Sequence, residues 1–394
     1  MKVKKTFNLN FNEIPVELAS EPKEVFLPLP DWDPNKRRTK LREGAEIVTG
    51  DSITPEVYST VTGTVQGFHP LMMWDKDVTA LSIQLRDQEQ IHPGITEFKD
   101  YLDASPEEIV QKLIRANLPF STIPTSVSTV VVSAVETDPT HHVYQQILRE
   151  QKGYVLRGLK LIKYITGANN VLFAVPTPLL ELVKELDEEG VIVIPIAPVY
   201  PEGLPELIIS RLANQYDLQS HLFLGIETLA ASVRALEKGT AFNYKVITFT
   251  HGSITRNLRV RIGTPLSHLL EGIEIEDHSR IIVNGLYRGY ACYDLNTPVT
   301  SSLHSVYIQT PGDVLPDRNR QCMNCGRCNE ACPVDLEINL IGRYAEFSIF
   351  DACEEKDVHR CIECGLCAYN CPAARSLVQW VRLAKKEIQG EKIS

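Results

Sequence analysis

The chain has 394 residues, of which 43% are hydrophobic and 23% charged, and a formal net charge of −10 at pH 7. This length is too great for one ordinary compact core and predicts two to four domains. The negative charge argues against nucleic acid as a main partner, because phosphate binding needs a basic surface. Docking to a basic face of another protein is compatible with it.

The sequence predicts neither a membrane span nor a signal peptide. The longest apolar stretch, residues 191–199, is interrupted by Pro195 and Pro198, whereas a spanning helix needs about 20 apolar residues. The lysines near the N-terminus are followed by alternating polar and apolar residues, and a signal peptide needs an unbroken apolar core there. We therefore expect a cytoplasmic protein that reaches the inner face of the cell membrane only through partner subunits.

Residues 1–100 predict small β structure. Within residues 41–68, short alternating runs are separated by glycines, Asp51 and Pro55, which is typical of hairpins. The pattern resembles the barrel-sandwich hybrid of biotinyl and lipoyl domains, which carry their cofactor on a lysine at the central turn. Residues 51–58 contain no lysine, so the resemblance implies a scaffold here.

Residues 101–235 predict a Rossmann-like α/β domain. Ser105 and Pro106 are typical of an N-cap and a first helical residue, with acids in the first turn. Strands then alternate with helices, which predicts a parallel sheet with crossover helices. The predicted strands are residues 129–135, 171–175 and 191–196, and the predicted helices after the first are residues 142–165 and 178–186.

Residues 236–310 return to β character and predict a β-grasp domain of the SLBB-like type. The predicted strands are residues 244–250, 258–262, 280–283 and 305–308, with a short helix at residues 264–270. The remaining residues, 311–394, form a cysteine-rich module that is predicted to be a ferredoxin-like α-helical unit. Its predicted helices are residues 335–349 and 374–387.

Nine of the ten cysteines fall between Cys322 and Cys371, and eight of these nine form two copies of the pattern C-x₂-C-x₂-C-x₃-C-P. Three thiolates at this spacing can wrap one cubane, and the fourth cysteine ligates the other cluster. The sequence therefore predicts two 4Fe–4S clusters with crossed ligands. One set is Cys322, Cys325, Cys328 and Cys371, and the other is Cys332, Cys361, Cys364 and Cys367.

Structural zinc is the competing interpretation of these cysteines. Zinc sites use two pairs of ligands, whereas this pattern has three cysteines at regular C-x₂-C-x₂-C spacing followed by Cys-Pro. An iron–sulfur cluster is therefore the favoured interpretation. Gly326 and Gly365 hold matching places in the two copies, where glycine lets the backbone bend around inorganic sulfur. Cys292 and Cys353 have no motif partners and are interpreted as small buried hydrophobes.

The order of these units resembles that in the C subunit of the Rnf ion-translocating electron-transport complexes. Besides the cysteine module, the resemblance is carried by GTPLSHLL at residues 263–270, YPEG at residues 200–203 and VETDPT at residues 135–140. It implies an iron–sulfur electron-transfer subunit that works with other redox subunits: a flavoprotein, a ferredoxin or a membrane-bound subunit.

The family binds flavin mononucleotide (FMN) phosphate and NADH in a glycine-rich GGAGFPT loop. Here residues 115–122 read RANLPFST, without glycine and with Pro119, which lacks an N–H. Residues 284–289, NGLYRG, replace a second glycine-rich element. Both departures argue against an FMN and NADH site, for which Glu136 and Asp138 are the weak candidate residues. The simpler interpretation is that these two acids cap a turn between strand and helix.

His141 and His142 are adjacent and would diverge on a helix, so they are interpreted as surface or core residues. Three hypotheses follow. The favoured one is an Rnf-like electron-transfer subunit with no catalytic acid–base residues. The alternatives are a flavin-dependent NAD(P)H or cobalamin oxidoreductase with an altered flavin loop, and a scaffold whose α/β domain only docks partners.

Overall fold

The computed structural model describes residues 7–29, 41–73, 76–120, 127–188, 190–313 and 320–391. The strands are β1 (Phe7–Asn8), β2 (Val16–Leu18), β3 (Glu24–Leu29), β4 (Glu46–Ile47), β5 (Gly63–Met73), β6 (Lys76–Leu85), β7 (Thr129–Ser133), β8 (Asn170–Pro176), β9 (Ile192–Ile196), β10 (Val199–Tyr200), β11 (His221–Gly225), β12 (Tyr244–His251), β13 (Ile254–Arg261), β14 (Arg280–Val283), β15 (Tyr290–Cys292) and β16 (Ser305–Gln309). The helices are α1 (Pro106–Arg115), α2 (Val143–Glu150), α3 (Lys152–Thr166), α4 (Pro205–Leu212), α5 (Ile226–Lys238), α6 (Leu266–Leu269), α7 (Arg327–Ala331), α8 (Ile338–Glu346), α9 (Phe350–Glu354), α10 (Leu366–Tyr369) and α11 (Leu377–Glu391), with 3₁₀ segments at Tyr101–Asp103, Thr177–Glu188 and Val358–Arg360.

The first sheet is antiparallel, in the order β3-β6-β5-β4. Its main feature is the long β5–β6 ladder, which shifts register between Val65 and Gly67. Val25, Leu27 and Ile83 are buried on one face and form a small core of their own. The β-rich character expected for this part of the chain is therefore present.

The N-terminal strands β1 and β2 do not join that first sheet. β1 pairs antiparallel with β10 beside the α/β region, and β2 pairs parallel with the edge of β13. Residues 7–18, which the sequence analysis grouped with residues 1–100, thus pair with two later parts of the chain, β10 and β13. Such short, partly exposed strands carry little hydrophobic signal, so their distant partners cannot be read from their own residues.

The α/β region is built on a parallel sheet in the order β11-β7-β8-β9. All five residues of β7 are buried, as expected for a β-branched run covered on both faces. Helices α3 and α5 pack together on one side, and the Ser105 side chain accepts a hydrogen bond from the Glu108 N–H, which confirms the predicted cap. The helix predicted at residues 142–165 is two helices that meet at Gln151, whose φ and ψ of −124° and 22° are not helical.

A third, mixed sheet has the order β15-β14-β16-β12-β13-β2. It contains each of the four strands predicted between residues 236 and 310. Val260, Val283 and Val306 are fully buried beneath it with Leu266 of the short helix α6. The edge strand β15 and its neighbour β14 face the cysteine module.

The cysteine module consists of α7 to α11 around an apolar core. Ile338, Ile341, Val381 and Ala384 lie at the centre of this core. The predicted helix at residues 335–349 is shorter, because it begins at Ile338 and ends at Glu346. In the part of the chain that the structure describes, no helix is both long and apolar enough to cross a membrane.

Candidate iron–sulfur centres

The cysteine module contains two cavities, each lined by four cysteine side chains. The outer cavity holds Cys322, Cys325, Cys328 and Cys371, and the inner cavity holds Cys332, Cys361, Cys364 and Cys367. They enclose about 400 and 320 Å³ of empty space, part of it open to solvent. The fourth cysteine of each sequence copy therefore lies with the first three of the other copy, which is the crossed grouping that the spacing predicts.

Matching backbone turns build the two cavities. Gly326 and Gly365 have φ angles of 75° and 77° and directly precede α7 and α10. Asn324 and Glu363, two residues earlier in each copy, also have a positive φ of 54°. Two left-handed residues in each loop fold the chain back on itself, so that the cysteine side chains face one space. A Cβ on Gly365 would lie 2.6 Å from the Tyr287 carbonyl oxygen, so the inner loop also needs glycine for contact.

Burial disfavours ionisation of the cysteine thiols. Desolvation, with smaller contributions from negative charge on Cys371 and Cys322, raises the pKa of Cys328 to about 11. Desolvation, with smaller contributions from Cys361 and Cys332, likewise raises the pKa of Cys364 to about 12. Each set of thiolates thus needs a positive centre among its members, which cluster iron supplies when it binds.

The donor set fits a cubane better than a single metal ion. Among the described residues, no group of three or more His, Cys, Asp or Glu side chains is placed to hold one metal ion. The sulfurs stand around a space instead of converging on a point, whereas tetrahedral zinc needs four ligands at about 2.3 Å from one atom. Four thiols around each cavity are the ligands that a 4Fe–4S cluster requires.

The two cavities differ in their surroundings. In the outer set Cys325 is exposed and Cys322 and Cys371 are half-buried, whereas in the inner set only Cys361 is not fully buried. The inner loop is also tied to the rest of the protein: the Tyr200 hydroxyl donates to the Cys364 carbonyl oxygen at 2.5 Å. The inner centre is thus enclosed by protein, and the outer centre lies near solvent.

Charged groups flank the inner loop. Lys385 Nζ donates to the Cys361 carbonyl oxygen and to Glu363, each at 2.7 Å. Arg382 donates to the same carboxylate at 2.9 Å. Although burial opposes ionisation, these hydrogen bonds and positive charges keep the pKa of Glu363 below its usual value. Two cations of helix α11 therefore hold the loop through the loop's own carboxylate, Glu363.

A group of four aromatic rings packs against the inner loop. Tyr287 lies 5.1 Å from Phe7, 5.1 Å from Tyr200 and 5.7 Å from Tyr369, measured between ring centroids. The rings come from the N-terminal strand, the α/β region, the third sheet and α10. Sequence reasoning missed this group, because its members are far apart in the chain and no local pattern links them.

The loop at the expected FMN position has no free N–H groups in its described part. The N–H groups of Ala116, Asn117, Leu118 and Phe120 each donate to a backbone carbonyl within residues 112–118. Pro119 has none, and Ala116, Leu118 and Phe120 are buried in the core. Ser121 and Thr122 lie outside the described residues. A phosphate cradle needs free N–H groups, so residues 115–120 do not fit FMN phosphate.

Glu136 and Asp138 are used within the protein. Glu136 Oε1 accepts from the N–H groups of Tyr144 and Gln145 at 2.7 and 3.2 Å, which caps α2. Asp138 accepts from the Thr140 N–H and the Tyr287 N–H. Both acids are buried, and desolvation raises the pKa of Glu136 to about 8. They act as the turn-capping acids of the simpler sequence interpretation.

His141 and His142 are both buried, at 4% and 7% exposure. The ring of His141 stacks on His304 with centroids 5.8 Å apart, and its Nε2 has no hydrogen-bond partner among the described residues. A buried ion pair between Lys245 and Glu227 lies in the same region. Sequence reasoning missed these last three residues, because each stands alone in an ordinary strand or helix.

The two other cysteines line neither cysteine cavity. Cys353 is fully buried in the module core and donates to the Ile341 carbonyl oxygen at 3.5 Å. Cys292 is half-buried and donates to the Asp294 carbonyl oxygen at 3.2 Å. Their surroundings agree with a packing role.

Residues 316–372 match the family model described as a 4Fe–4S dicluster domain. The chain is 24% identical to the C subunit of the proton-translocating ferredoxin:NAD(+) oxidoreductase complex of Clostridium ljungdahlii, over 95% of this chain and 90% of the relative. It is also 24% identical to the C subunit of the ion-translocating oxidoreductase complex of Methanosarcina acetivorans, over 96% and 95%. The Vibrio cholerae protein of the same name is 24% identical, and the match spans 88% of this chain but 50% of that relative.

Among solved structures, the chain is similar to an NAD⁺-reducing [NiFe]-hydrogenase in the air-oxidized state. The match has 13% identity and a TM-score of 0.44 over 76% of this chain and 59% of that one.

Proposed function

We propose that this homologue of the C subunits of ion-translocating oxidoreductase complexes passes electrons through two 4Fe–4S clusters to and from other redox subunits. The single observation that carries the proposal is the grouping of eight cysteines into two cavities with crossed membership. The outer ligands are then Cys322, Cys325, Cys328 and Cys371, and the inner ligands are Cys332, Cys361, Cys364 and Cys367.

The clusters supply one-electron redox chemistry when they are bound, and the chain places them and sets their surroundings. The enclosed inner loop, with Lys385 and Arg382 nearby, gives its thiolates a more positive and less hydrated setting than the outer loop has. Such differences in charge and exposure separate the potentials of two clusters. No acid or base is required of the protein.

The same proposal extends to the domains and the location. The antiparallel first sheet is a barrel-sandwich hybrid, the parallel sheet with its helices a Rossmann-like domain and the third sheet a β-grasp domain, with limits near residues 100, 235 and 310. The partners are a flavoprotein, a ferredoxin or a membrane-bound redox subunit, and this chain is held at the cytoplasmic face of the membrane through them. Ferredoxin and NAD(+) are named for the clostridial relative.

The N–H groups within residues 116–120 are already bonded to backbone carbonyls, which supports the proposal that this chain does not itself bind FMN. Oxidation of NADH then belongs to a partner. This separates the proposal from the flavin-dependent NAD(P)H or cobalamin oxidoreductase that the sequence left open.

Anaerobic reconstitution of the full chain tests the proposal. About eight iron atoms per chain and paramagnetic signals of two clusters after dithionite reduction are expected, with no stoichiometric FMN after incubation and desalting. NADH alone should leave the cluster absorbance unchanged. Cys353→Ser is the control, since it should retain all the iron. Zinc in place of iron, or one FMN per chain with bleaching by NADH, would contradict the proposal.

A further inference from the structure

A wide groove lies between the third sheet and the cysteine module. It contains about 1640 Å³ of empty space, partly open to solvent, which is several times that of either cysteine cavity. One wall is formed by β14, β15 and the turn between them, and the other by α10 and α11. Neither the cluster ligands nor the capping acids Glu136 and Asp138 line it, so the proposed function leaves this feature unused.

The groove adjoins both cysteine cavities. Arg375 lines the groove and the outer cavity, whereas Gly365 and Val378 line the groove and the inner cavity. A molecule bound in the groove would therefore be separated from each cysteine cavity by the thickness of a single residue. Because electron transfer weakens steeply with distance, this surface offers a short path to both centres at once.

The charge of the groove differs from that of the whole chain. Its lining includes Arg280, Arg375 and Arg382 but only one acid, Asp313, in a chain of net charge −10. Arg375 is paired with Glu346, and Arg382 shares Glu363 with Lys385. Arg280 is exposed and has no ion-pair partner among the described residues. The groove thus keeps a surplus of positive charge.

The apolar part of the groove is accessible. Tyr369 is 59% exposed and Leu286 is 38% exposed, and both line it beside Tyr287. Exposed aromatic and aliphatic side chains next to arginines are typical of the centre and rim of a protein interface. The hydroxyl of Tyr369 and the guanidinium of Arg280 together present a surface that an acidic protein can contact.

We propose, on the basis of the proposed function, that this groove is the docking site for a small electron-carrier protein with an acidic contact surface. Arg280 attracts the carrier, Tyr369 and Leu286 form the apolar contact, and the backbone around residues 374–376 and Gly365 separates the docked carrier from the two centres. Charge complementarity and continuity with both cysteine cavities favour this occupant over a neutral peptide.

Stopped-flow reduction of the reconstituted full chain by a reduced, acidic 2[4Fe–4S] ferredoxin tests the proposal. Arg280→Glu should lower the second-order rate constant about tenfold at low salt, and the difference should shrink as the ionic strength rises. Arg256→Glu is the matched control, because Arg256 is an exposed arginine of β13 near the opposite edge of the same sheet. It changes the net charge equally and should leave the rate within about twofold of the unmodified chain.

Two further measurements distinguish failure of the docking site from failure of the proposed function. They are the rate of reduction by methyl viologen, a small cation, and the iron content. The docking site is supported if Arg280→Glu retains iron and viologen reduction but slows reduction by ferredoxin. It is overturned if both variants slow reduction equally, if neither does, or if FMN alone binds the groove stoichiometrically and Arg280→Glu abolishes that binding. Loss of iron already in the unmodified chain would instead refute the proposed function.

Discussion

Two regions of the molecule gather reactive side chains, and they use the space between them in opposite ways. In the cysteine module, left-handed residues such as Gly326 and Gly365 bend the backbone around two cavities. At the carboxyl ends of β7 and β11, where α/β proteins commonly bind ligands, Glu136 caps a helix and Glu227 pairs with Lys245. One region therefore leaves room for a cofactor, whereas in the other region both acids are engaged by neighbouring groups of the protein.

The largest test of this comparison removes one ligand from each cavity. Cys325→Ser should lose about half of the iron and keep the inner signal, since four thiolates are needed per cubane. Cys364→Ser should lose the inner centre and also lower the denaturation temperature more, because Cys364 belongs to the apolar core shared with the α/β region. Iron analysis, low-temperature paramagnetic spectra and thermal denaturation measure these effects.

Equal losses of stability in both variants would break the distinction between an exposed and an enclosed centre. Cys292→Ser serves as the control, because Cys292 lines neither cavity.

Exposure to air should separate the two centres without any mutation. Cys325 and the neighbouring Met323 are exposed, so oxidants reach the outer centre first. We expect the outer signal to decay several times faster than the inner one, in line with the access of solvent to its sulfurs. Spectra recorded at intervals after dilution into aerated buffer measure both decays, and equal decay rates would contradict the exposure argument.

Glu136→Gln tests the second region, at the carboxyl ends of β7 and β11. The carboxyl of Glu136 ionises near 4.5 in the unfolded chain and near 8 in the folded one. Between these pH values the folded state binds more protons, so this group makes the free energy of unfolding fall as pH rises. The variant has no carboxyl at this position, so its free energy of unfolding does not fall in this way. Relative to the unmodified chain, that free energy should rise by on the order of 1–3 kcal/mol between about pH 5 and pH 8.

Urea unfolding of cluster-free protein at several pH values measures that difference, which should become constant above about pH 8. A difference that does not change with pH would show that the folded-state carboxyl of Glu136 is already ionised.

The smallest expected effect concerns the link between the two regions. Tyr200→Phe removes the hydroxyl that donates to the buried Cys364 carbonyl and should cost about 1–2 kcal/mol of unfolding free energy. Tyr164→Phe removes a similar bond to the Ala104 carbonyl at an exposed position and should cost less than about 0.5 kcal/mol. Chemical denaturation compares the two, and equal costs would contradict a special role for the buried bond.

Local patterns predicted the parts of this fold that local residues determine. The cysteine spacing led to both cavities, and the β-branched run at β7 led to a buried parallel strand. The break at Gln151 was missed, because the apolar period continues through it and only the backbone angles reveal it. The pairing of β2 with β13 and the aromatic group around Tyr287 were also missed, because they depend on residues hundreds of positions apart.

The N-terminal segment has a consequence for biogenesis. Phe7 is synthesised long before Tyr369, yet the centroids of their rings lie 4.7 Å apart. The N-terminal segment therefore cannot complete this contact until α10 has been synthesised, and contacts of such long range form late in folding. Docking of β1 and maturation of the cysteine module thus depend on the same later-made part of the chain, so a delay in delivering iron and sulfide would leave β1 and that module undocked together.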